Sequence, residues 1–206
     1  MTRKRVAVLI SGRGTNLQAL LDAQGPFCPY EIVVVVSNNA GVAGLDRARE
    51  AGVEAVAIEH RAFGKDREAF ERALDAFLRD RNVELVALAG FMRVLTSYFV
   101  GAWAGKLINI HPSLLPSFPG LDTYARALAS GAKLAGCSVH WVTEGVDTGP
   151  IIGQAAVPVM PGDTPDALAA RTLEAEHLLY PACLSLVCGG APLSQGPAPI
   201  LVNAFL

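Results

Sequence analysis

The sequence predicts an α/β fold: an open, mostly parallel, twisted sheet of about seven strands with helices on both faces. Three observations carry this expectation. Short β-branched runs alternate with helix-length amphipathic stretches, the rhythm of successive βαβ units. The first four runs are almost wholly apolar, as strands covered on both faces of a parallel sheet must be. The 206 residues are 51% hydrophobic and 17% charged, which gives enough apolar content for a sizeable core and excludes a disordered chain. A mean hydropathy of +0.36 agrees.

Taken in order, the first strand is expected over 6–10. It follows the basic opening Met1-Thr2-Arg3-Lys4-Arg5, which imitates a secretory signal. The apolar run stops after five residues at Ser11-Gly12-Arg13-Gly14, and no small-residue cleavage pattern follows. A helix over 16–23 leads to a strand over 32–37, a helix over 41–51, a strand over 53–58, a helix over 65–81 and a strand over 85–89. A helix over 97–104 precedes a strand over 106–110. Its exit is stiffened by Pro112, Pro116 and Pro119, and Pro112 holds the preceding residue extended. A helix follows over 123–130. The strand over 138–142 alternates, with Ser138, His140 and Val142 on one face and Val139 and Trp141 on the other, so that it lines a site or a sheet edge. A strand over 151–157 precedes the last helix, over 164–188. Pro161-Gly162-Asp163-Thr164-Pro165 supplies that helix with Thr164 as N-cap and Pro165 at its first position, and Gly189-Gly190 ends it. Residues 191–206, rich in proline and small side chains, are expected to be an irregular tail. The composition shifts near Gly90–Arg93, which divides a single domain over 1–190 into lobes of about 1–90 and 91–190.

Charge and cysteine usage exclude several classes. With 17 basic and 19 acidic side chains the formal charge is −2, and a chain without cationic excess is a poor partner for nucleic acid. The longest apolar runs are strand-sized, against the ~20 residues of a membrane-spanning helix. Cys28, Cys137, Cys183 and Cys188 form neither a CxxC pair nor a metal-ligand spacing, and read as reduced thiols of a cytoplasmic protein. His-Glu-x-x-His, cysteine clusters and paired carboxylates are likewise missing from the sequence, so no metal is expected.

Two motifs carry chemistry. In Ser11-Gly12-Arg13-Gly14-Thr15-Asn16-Leu17 a glycine turn joins the first strand to a helix N-terminus, whose free N–H groups and dipole suit an anion. Leu17 stands where a dinucleotide fingerprint needs its third glycine, the second strand ends Ser37-Asn38-Asn39 without a carboxylate, and Gly-Lys-Ser/Thr is absent. The remaining occupant is a single phosphate on a small molecule, or the loop is a plain strand-to-helix turn. The second motif is Asn109-Ile110-His111-Pro112. Residues two apart on a strand share a face, so Asn109 and His111 project together at a strand's carboxyl end, where open α/β sheets bind ligands. An amide donor and a group titrating near neutrality suit a carbonyl carbon under nucleophilic attack. Asp147, in the glycine-flanked loop Thr143-Glu144-Gly145-Val146-Asp147-Thr148-Gly149-Pro150, is a candidate partner for His111. His140 fits either a packed polar group or a residue behind the reactive ones, while His60 and His177 read as structural or exposed.

Ile10-Ser11-Gly12-Arg13-Gly14-Thr15-Asn16-Leu17-Gln18, Ala89-Gly90-Phe91-Met92-Arg93, Asn109-Ile110-His111-Pro112-Ser113-Leu114-Leu115-Pro116 and Asp147-Thr148-Gly149-Pro150 stand in order. Together they resemble the phosphoribosylglycinamide formyltransferases, over about residues 5–188. The resemblance implies a Rossmann-like formyltransferase fold and transfer of formyl from 10-formyltetrahydrofolate, a cosubstrate, to the amine of glycinamide ribonucleotide. It implies catalysis by Asn109, His111 and Asp147. Ribonucleotide contacts fall to Gly14, Thr15, Asn16, Met92 and Glu176, and folate contacts to Arg67, Arg93, Val94, Leu95, Asn109 and the Thr143, Glu144, Gly145, Val146, Asp147 loop. The N-terminal lobe would hold the ribonucleotide phosphate, and the C-terminal lobe the folate and the reacting groups. A monomer or weak homodimer is expected. Ser117 stands where many relatives carry a basic residue, and Tyr124 where a histidine is expected. Methionyl-tRNA formyltransferase and formyltetrahydrofolate hydrolase share the catalytic stretch but carry an additional domain, for which this sequence has no residues. A non-catalytic phosphate-binding module is the alternative from another class.

Overall fold

The computed structural model describes residues 2–189 and the backbone of 200–203. The chain forms two compact units, Met1–Asn109 and Ile110–Leu206. The composition shift near Gly90–Arg93 places the border earlier. The stretch that follows it stays with the first unit because its strand pairs with the strand before it and its helix packs on the long helix upstream.

The first unit contains β1 (Lys4–Ile10), α1 (Thr15–Asp22), β2 (Tyr30–Ser37), α2 (Ala43–Glu50), β3 (Glu54–Ala57), a 3-10 turn (His60–Phe63), α3 (Arg67–Asp80), β4 (Leu85–Leu88), α4 (Ser97–Ala102) and most of β5 (Leu107–His111). The turn at His60–Phe63 lacks the apolar period of a helix and is not evident in the sequence. The strands run in the order β3-β2-β1-β4-β5, every pairing parallel. β1 is central, and Val6, Ala7, Val8, Leu9 and Ile10 are fully buried. Each large apolar side chain so buried stabilises the fold by about 1.5–3 kcal/mol. β3, at the edge, is half-exposed, which departs from the expectation that all of the first four strands are covered on both faces. Because the strands are parallel, the loops after β1, β2 and β4 emerge at one edge of the sheet.

The second unit contains α5 (Thr123–Ala129), β6 (Leu134–Trp141), β7 (Ile151–Pro158), α6 (Pro165–Cys188) and β8 (Ile200–Asn203). β6 and β7 are antiparallel, and β7 and β8 parallel. β6 begins four residues before the expected 138. Gly136 hides this in the sequence by reading as a breaker, whereas a Cβ there would stand 1.9 Å from the Ala155 carbonyl oxygen. Its missing side chain lets β7 approach. A register shift between Val139 and His140 sets the aim of the strand end beside the 143–150 loop. α6 starts as its sequence predicts, with the Thr164 hydroxyl accepting the Ala167 N–H at 3.2 Å. It buries Leu168, Ala175, Leu179 and Cys183 along one face. The tail expected to be irregular contains β8, whose Ile-Leu-Val run is masked in the sequence by neighbouring prolines; 190–199 and 204–206 lie outside the described residues. Among the described residues no helix is long and apolar enough to cross a membrane.

Candidate active site

In the first unit, β1 delivers the chain into the glycine loop. Gly14 takes φ 72° as the N-cap of α1, with no side chain capping that end and no acidic residue in its first turn. The turn is forced by close packing. A Cβ on Gly14 would stand 2.7 Å from Gly44 Cα, and one on Gly44 would stand 2.4 Å from Ile10 Cδ1. α2 holds the loop from outside: Gly44 N–H donates to Gly12 O at 3.1 Å, and Arg47 Nε–H to Arg13 O at 3.0 Å. A second Arg47 nitrogen reaches Gln18 Oε1 at 3.1 Å, fixing loop and helix together. Gly14, Thr15 and Asn16 thus form a rigid helix start with no side-chain cap, the kind of terminus that suits an anion.

The segment after β4 is tied to one face of α3. Arg67 donates to the Val94 carbonyl, the Arg93 guanidinium lies 5.2 Å from the ring centre of buried Phe70, and buried Glu71 accepts the Thr96 N–H at 2.9 Å and the Thr96 hydroxyl. Arg67, Phe70 and Glu71 stand three and four residues apart, as one helix face requires. Met92 and Val94 side chains remain largely exposed, and Leu95 is half-buried. Glu71 escapes sequence reasoning. Its only signal is a carboxylate on the apolar stripe with Phe70 and Leu74.

β5 carries Asn109 at its pairing with Leu88, half-buried, and ends at buried His111. Two apart on one strand, both side chains leave the same side of it. The strand extends one residue beyond its expected end and includes His111 itself.

In the second unit, His111 Nδ1 lies 3.2 Å from Asp147 Oδ2, and its Nε2 lies 3.0 Å from the Phe118 carbonyl oxygen. Each ring nitrogen faces an acceptor. A doubly protonated ring satisfies both, and a neutral tautomer only one. The proline-rich exit is clamped through one hydroxyl. Ser138 Oγ–H donates to Ser113 O at 2.7 Å and accepts Leu115 N–H at 3.0 Å and Gln154 Nε2–H at 2.8 Å. Gln154 also donates to Leu115 O at 2.9 Å. The polar face of β6 therefore positions the loop behind His111, and Gln154 supplies a partner that the sequence does not reveal.

Asp147 takes φ 54°, and its side chain is 12% exposed. Gly149 makes the tight return possible, since a Cβ there would stand 1.7 Å from the Trp141 carbonyl oxygen. Asp147 Oδ2 also accepts the Gly120 N–H at 2.9 Å, and Oδ1 lies 3.6 Å from Nε2 of buried His140, whose Nδ1 is 2.9 Å from the Trp141 carbonyl. Burial pushes the Asp147 carboxyl up. The contact with His140, the Gly120 amide and the charges of both imidazoles outweigh that and hold it below the ordinary carboxylate value. His140, undecided from sequence, is thus a second imidazole on the same carboxylate. Thr143, Glu144, Gly145 and Val146 are exposed around it.

Glu176 is buried on α6. Its charge reaches Tyr124 and Cys137, where, after burial itself, it raises both groups above their ordinary values. The two departures from the family pattern, Ser117 and Tyr124, line one small cavity of about 180 Å³ with Pro112, Phe118 and Leu134. Among the described residues no group of three or more His, Cys, Asp or Glu side chains is arranged to hold a metal ion.

Comparison with known proteins follows this geometry. Residues 4–184 match the family model described as formyl transferase. A trifunctional purine biosynthetic protein adenosine-3 of Drosophila pseudoobscura pseudoobscura is 53% identical over 194 residues, 92% of this chain and 14% of that protein. The chain spans 14–19% of the length of the trifunctional relatives. The phosphoribosylglycinamide formyltransferase of Escherichia coli (strain K12) is 45% identical over 90% of this chain and 87% of its own. The crystal structure of phosphoribosylglycinamide formyltransferase from Brucella melitensis superimposes with TM-score 0.87 at 49% identity, covering 94% of this chain and all of that one. The family match begins in β1 and runs into α6, taking in the glycine loop, Asn109 and His111 of β5 and the carboxylate that meets the imidazole, and the chain belongs to the formyl transferase family.

Proposed function

We propose that this chain transfers the formyl group of 10-formyltetrahydrofolate to the amine of N1-(5-phospho-D-ribosyl)glycinamide, giving the formylglycinamide ribonucleotide and tetrahydrofolate. The observation that carries this reading is the contact of His111 Nδ1 with Asp147 Oδ2 at 3.2 Å, on a strand that presents Asn109 two residues earlier. The substrate amine attacks the formyl carbon directly. The carbonyl oxygen becomes an oxyanion, which accepts from the Asn109 amide and shares the His111 Nε2–H with the Phe118 carbonyl. Two such preorganised donors in a site sheltered from water supply the largest part of the rate enhancement, about 10²–10³ for each donor. Asp147 keeps Nδ1 protonated and the ring in place, and with His111 conveys the amine proton to the departing folate nitrogen. The tetrahedral intermediate then collapses with cleavage of the bond from the formyl carbon to that nitrogen.

Gly14, Thr15 and Asn16 hold the 5′-phosphate, and Glu176 the ribose hydroxyls. Met92 meets the ribonucleotide near its amine. Its N–H is already given to another side chain of the protein, so the carbonyl is the group it offers. Arg67, Arg93, Val94 and Leu95 border the folate; the Val94 side chain is exposed, and its carbonyl, which accepts Arg67, keeps a second lone pair. The loop Thr143, Glu144, Gly145, Val146 and Asp147 covers the pterin, reading its polar edge with backbone groups. Residues 1–90 serve the phosphate and 91–190 the folate and the reacting groups, with Arg67 reaching the folate from the first stretch. The chain acts on these small molecules in the cytoplasm as a monomer or weak homodimer, without metal, nucleic acid or membrane.

The test is incubation of the purified chain with 10-formyltetrahydrofolate, with and without the ribonucleotide. Deformylated folate only when the ribonucleotide is present supports transfer. Deformylation without it points to hydrolysis, and neither product to a binding module.

A further inference from the structure

Ser11 follows β1 directly and precedes the Gly14–Asn16 anion loop, and none of the functions above uses its side chain. Its hydroxyl oxygen accepts the Met92 N–H at 2.8 Å and donates to Asn38 Oδ1 at 2.6 Å. Its own carbonyl accepts Asn39 Nδ2–H at 3.1 Å. Asn38 is almost fully buried, and its carbonyl oxygen lies 2.9 Å from His60 Nδ1. The loops after β1, β2 and β4 and the turn after β3 thereby meet in one hydrogen-bonded knot at the carboxyl edge of the first unit. The Met92 N–H can only donate, so it takes a lone pair of Ser11, whose hydroxyl hydrogen goes to Asn38 Oδ1, and the Asn38 amide nitrogen lies 3.2 Å from His60 Nδ1.

On the amino-terminal side of the segment that donates this bond, the last tie to the sheet is the Ala89 N–H, which donates to Leu9 O at 2.9 Å. Gly90 takes φ 73° with open space where a Cβ would lie, and residues 91–96 are neither helix nor strand. Downstream, Arg67 and Glu71 tie Val94 and Thr96 to α3. Upstream, the Met92 N–H is anchored through Ser11 across 81 positions of sequence. We infer that Ser11 is a positioning residue. Its hydroxyl pins the Phe91–Met92 peptide at its N–H, Arg67 holds the chain two residues on at the Val94 carbonyl, and between these two anchors the Met92 carbonyl faces the place of the acceptor amine. This rests on the functional reading above. The Met92 carbonyl belongs to the following peptide, so its place depends on both anchors, and a misplacement of about 1 Å in a positioning group costs on the order of 10²-fold in rate.

The test is Ser11→Ala and Ser11→Thr in the full chain, read by steady-state formyl transfer and by hydrogen exchange of the Met92 amide. Ser11→Ala is expected to lower kcat about 10- to 100-fold, with KM for both substrates changed less than about threefold, because the phosphate loop and the α3 contacts remain. Met92 amide exchange is expected to accelerate at least about tenfold, as an amide released from a hydrogen bond does. Ser11→Thr, which keeps the hydroxyl, is expected to restore kcat to within about threefold of wild type. An active wild type with Ser11→Ala undiminished, a rise in KM alone, equal losses in the Ala and Thr variants, or unchanged Met92 exchange overturns the inference alone. A wild-type chain that transfers no formyl group overturns the functional reading and this inference with it.

Discussion

Asp147→Asn separates the charge of the carboxylate from its geometry. The Asn oxygen can still accept the Gly120 N–H and face His111 Nδ1 from the place of Oδ2, while the new amide group turns toward His140. The negative charge 3.2 Å from one imidazole and 3.6 Å from another is what disappears. A unit charge pair at such a separation, with an effective dielectric near 20, is worth about 4 kcal/mol. At about 1.4 kcal/mol per decade, full expression of that term in the transition state is a loss of about 10³. The Asp147 side chain is 12% exposed, which leaves some screening by solvent, so kcat is expected to fall about 10²- to 10³-fold. The assay is absorbance of deformylated folate under saturation with both substrates, across pH. KM for the ribonucleotide should stay within about threefold, because the anion loop is untouched. The acid limb, where the wild-type carboxylate takes up its proton below the ordinary carboxylate range, should be missing from the variant. A kcat within about fivefold of wild type, or an acid limb that persists, refutes the coupling of His111 to Asp147.

Gly14→Ala places a side chain at φ 72° and 2.7 Å from Gly44 Cα. The left-handed conformation alone costs about 1–2 kcal/mol, so melting should fall by about 2–8 °C and KM for the ribonucleotide rise at least about tenfold; an unchanged KM contradicts the phosphate role of the loop. Burial raises the Cys137 thiol well above its ordinary value and that of Cys183 to about 12, while Cys28 and Cys188 are half-exposed. A thiol-reactive dye on the native chain should label the last two quickly and the first two only on unfolding, and four equal rates contradict the packing of β6 on α6. The bidentate hydrogen bond from Arg171 holds the Asp163 carboxyl at about 2, below its ordinary value of 3.8. The stability it adds is complete above the ordinary carboxylate range and is lost as pH falls through the folded value. Wild type and Asp163→Asn should therefore differ in melting temperature at neutral pH and converge toward pH 2; a gap that widens in acid contradicts the assignment.

The parts of the molecule legible in the sequence are those whose causes lie close together along the chain. The glycine turn before α1, the shared face of Asn109 and His111, the Thr164 cap and the parallel core strands are all written in local spacing. What the sequence conceals depends on partners fixed by register. Ser138 reads as one polar residue of an alternating strand, and only the pairing of β6 with β7 reveals that it and Gln154 clamp the loop behind His111. His140 stays ambiguous until a register shift brings its ring to the carboxylate. Glu71 looks like a misplaced charge on an apolar stripe, because Thr96, which satisfies it, lies 25 residues away. Gly136 and the prolines of the tail read as breakers, although one admits a neighbouring strand and the others flank β8.

The most direct measurement follows the one carbon itself. With 10-formyltetrahydrofolate labelled with ¹³C in the formyl group, a single turnover observed by NMR should move the label into an amide on the ribonucleotide, in equal amount with the tetrahydrofolate released. No label should appear in formate or on the protein. Label in free formate, or a formylated side chain along the way, contradicts direct attack by the amine on a carbon held by Asn109, His111 and Asp147.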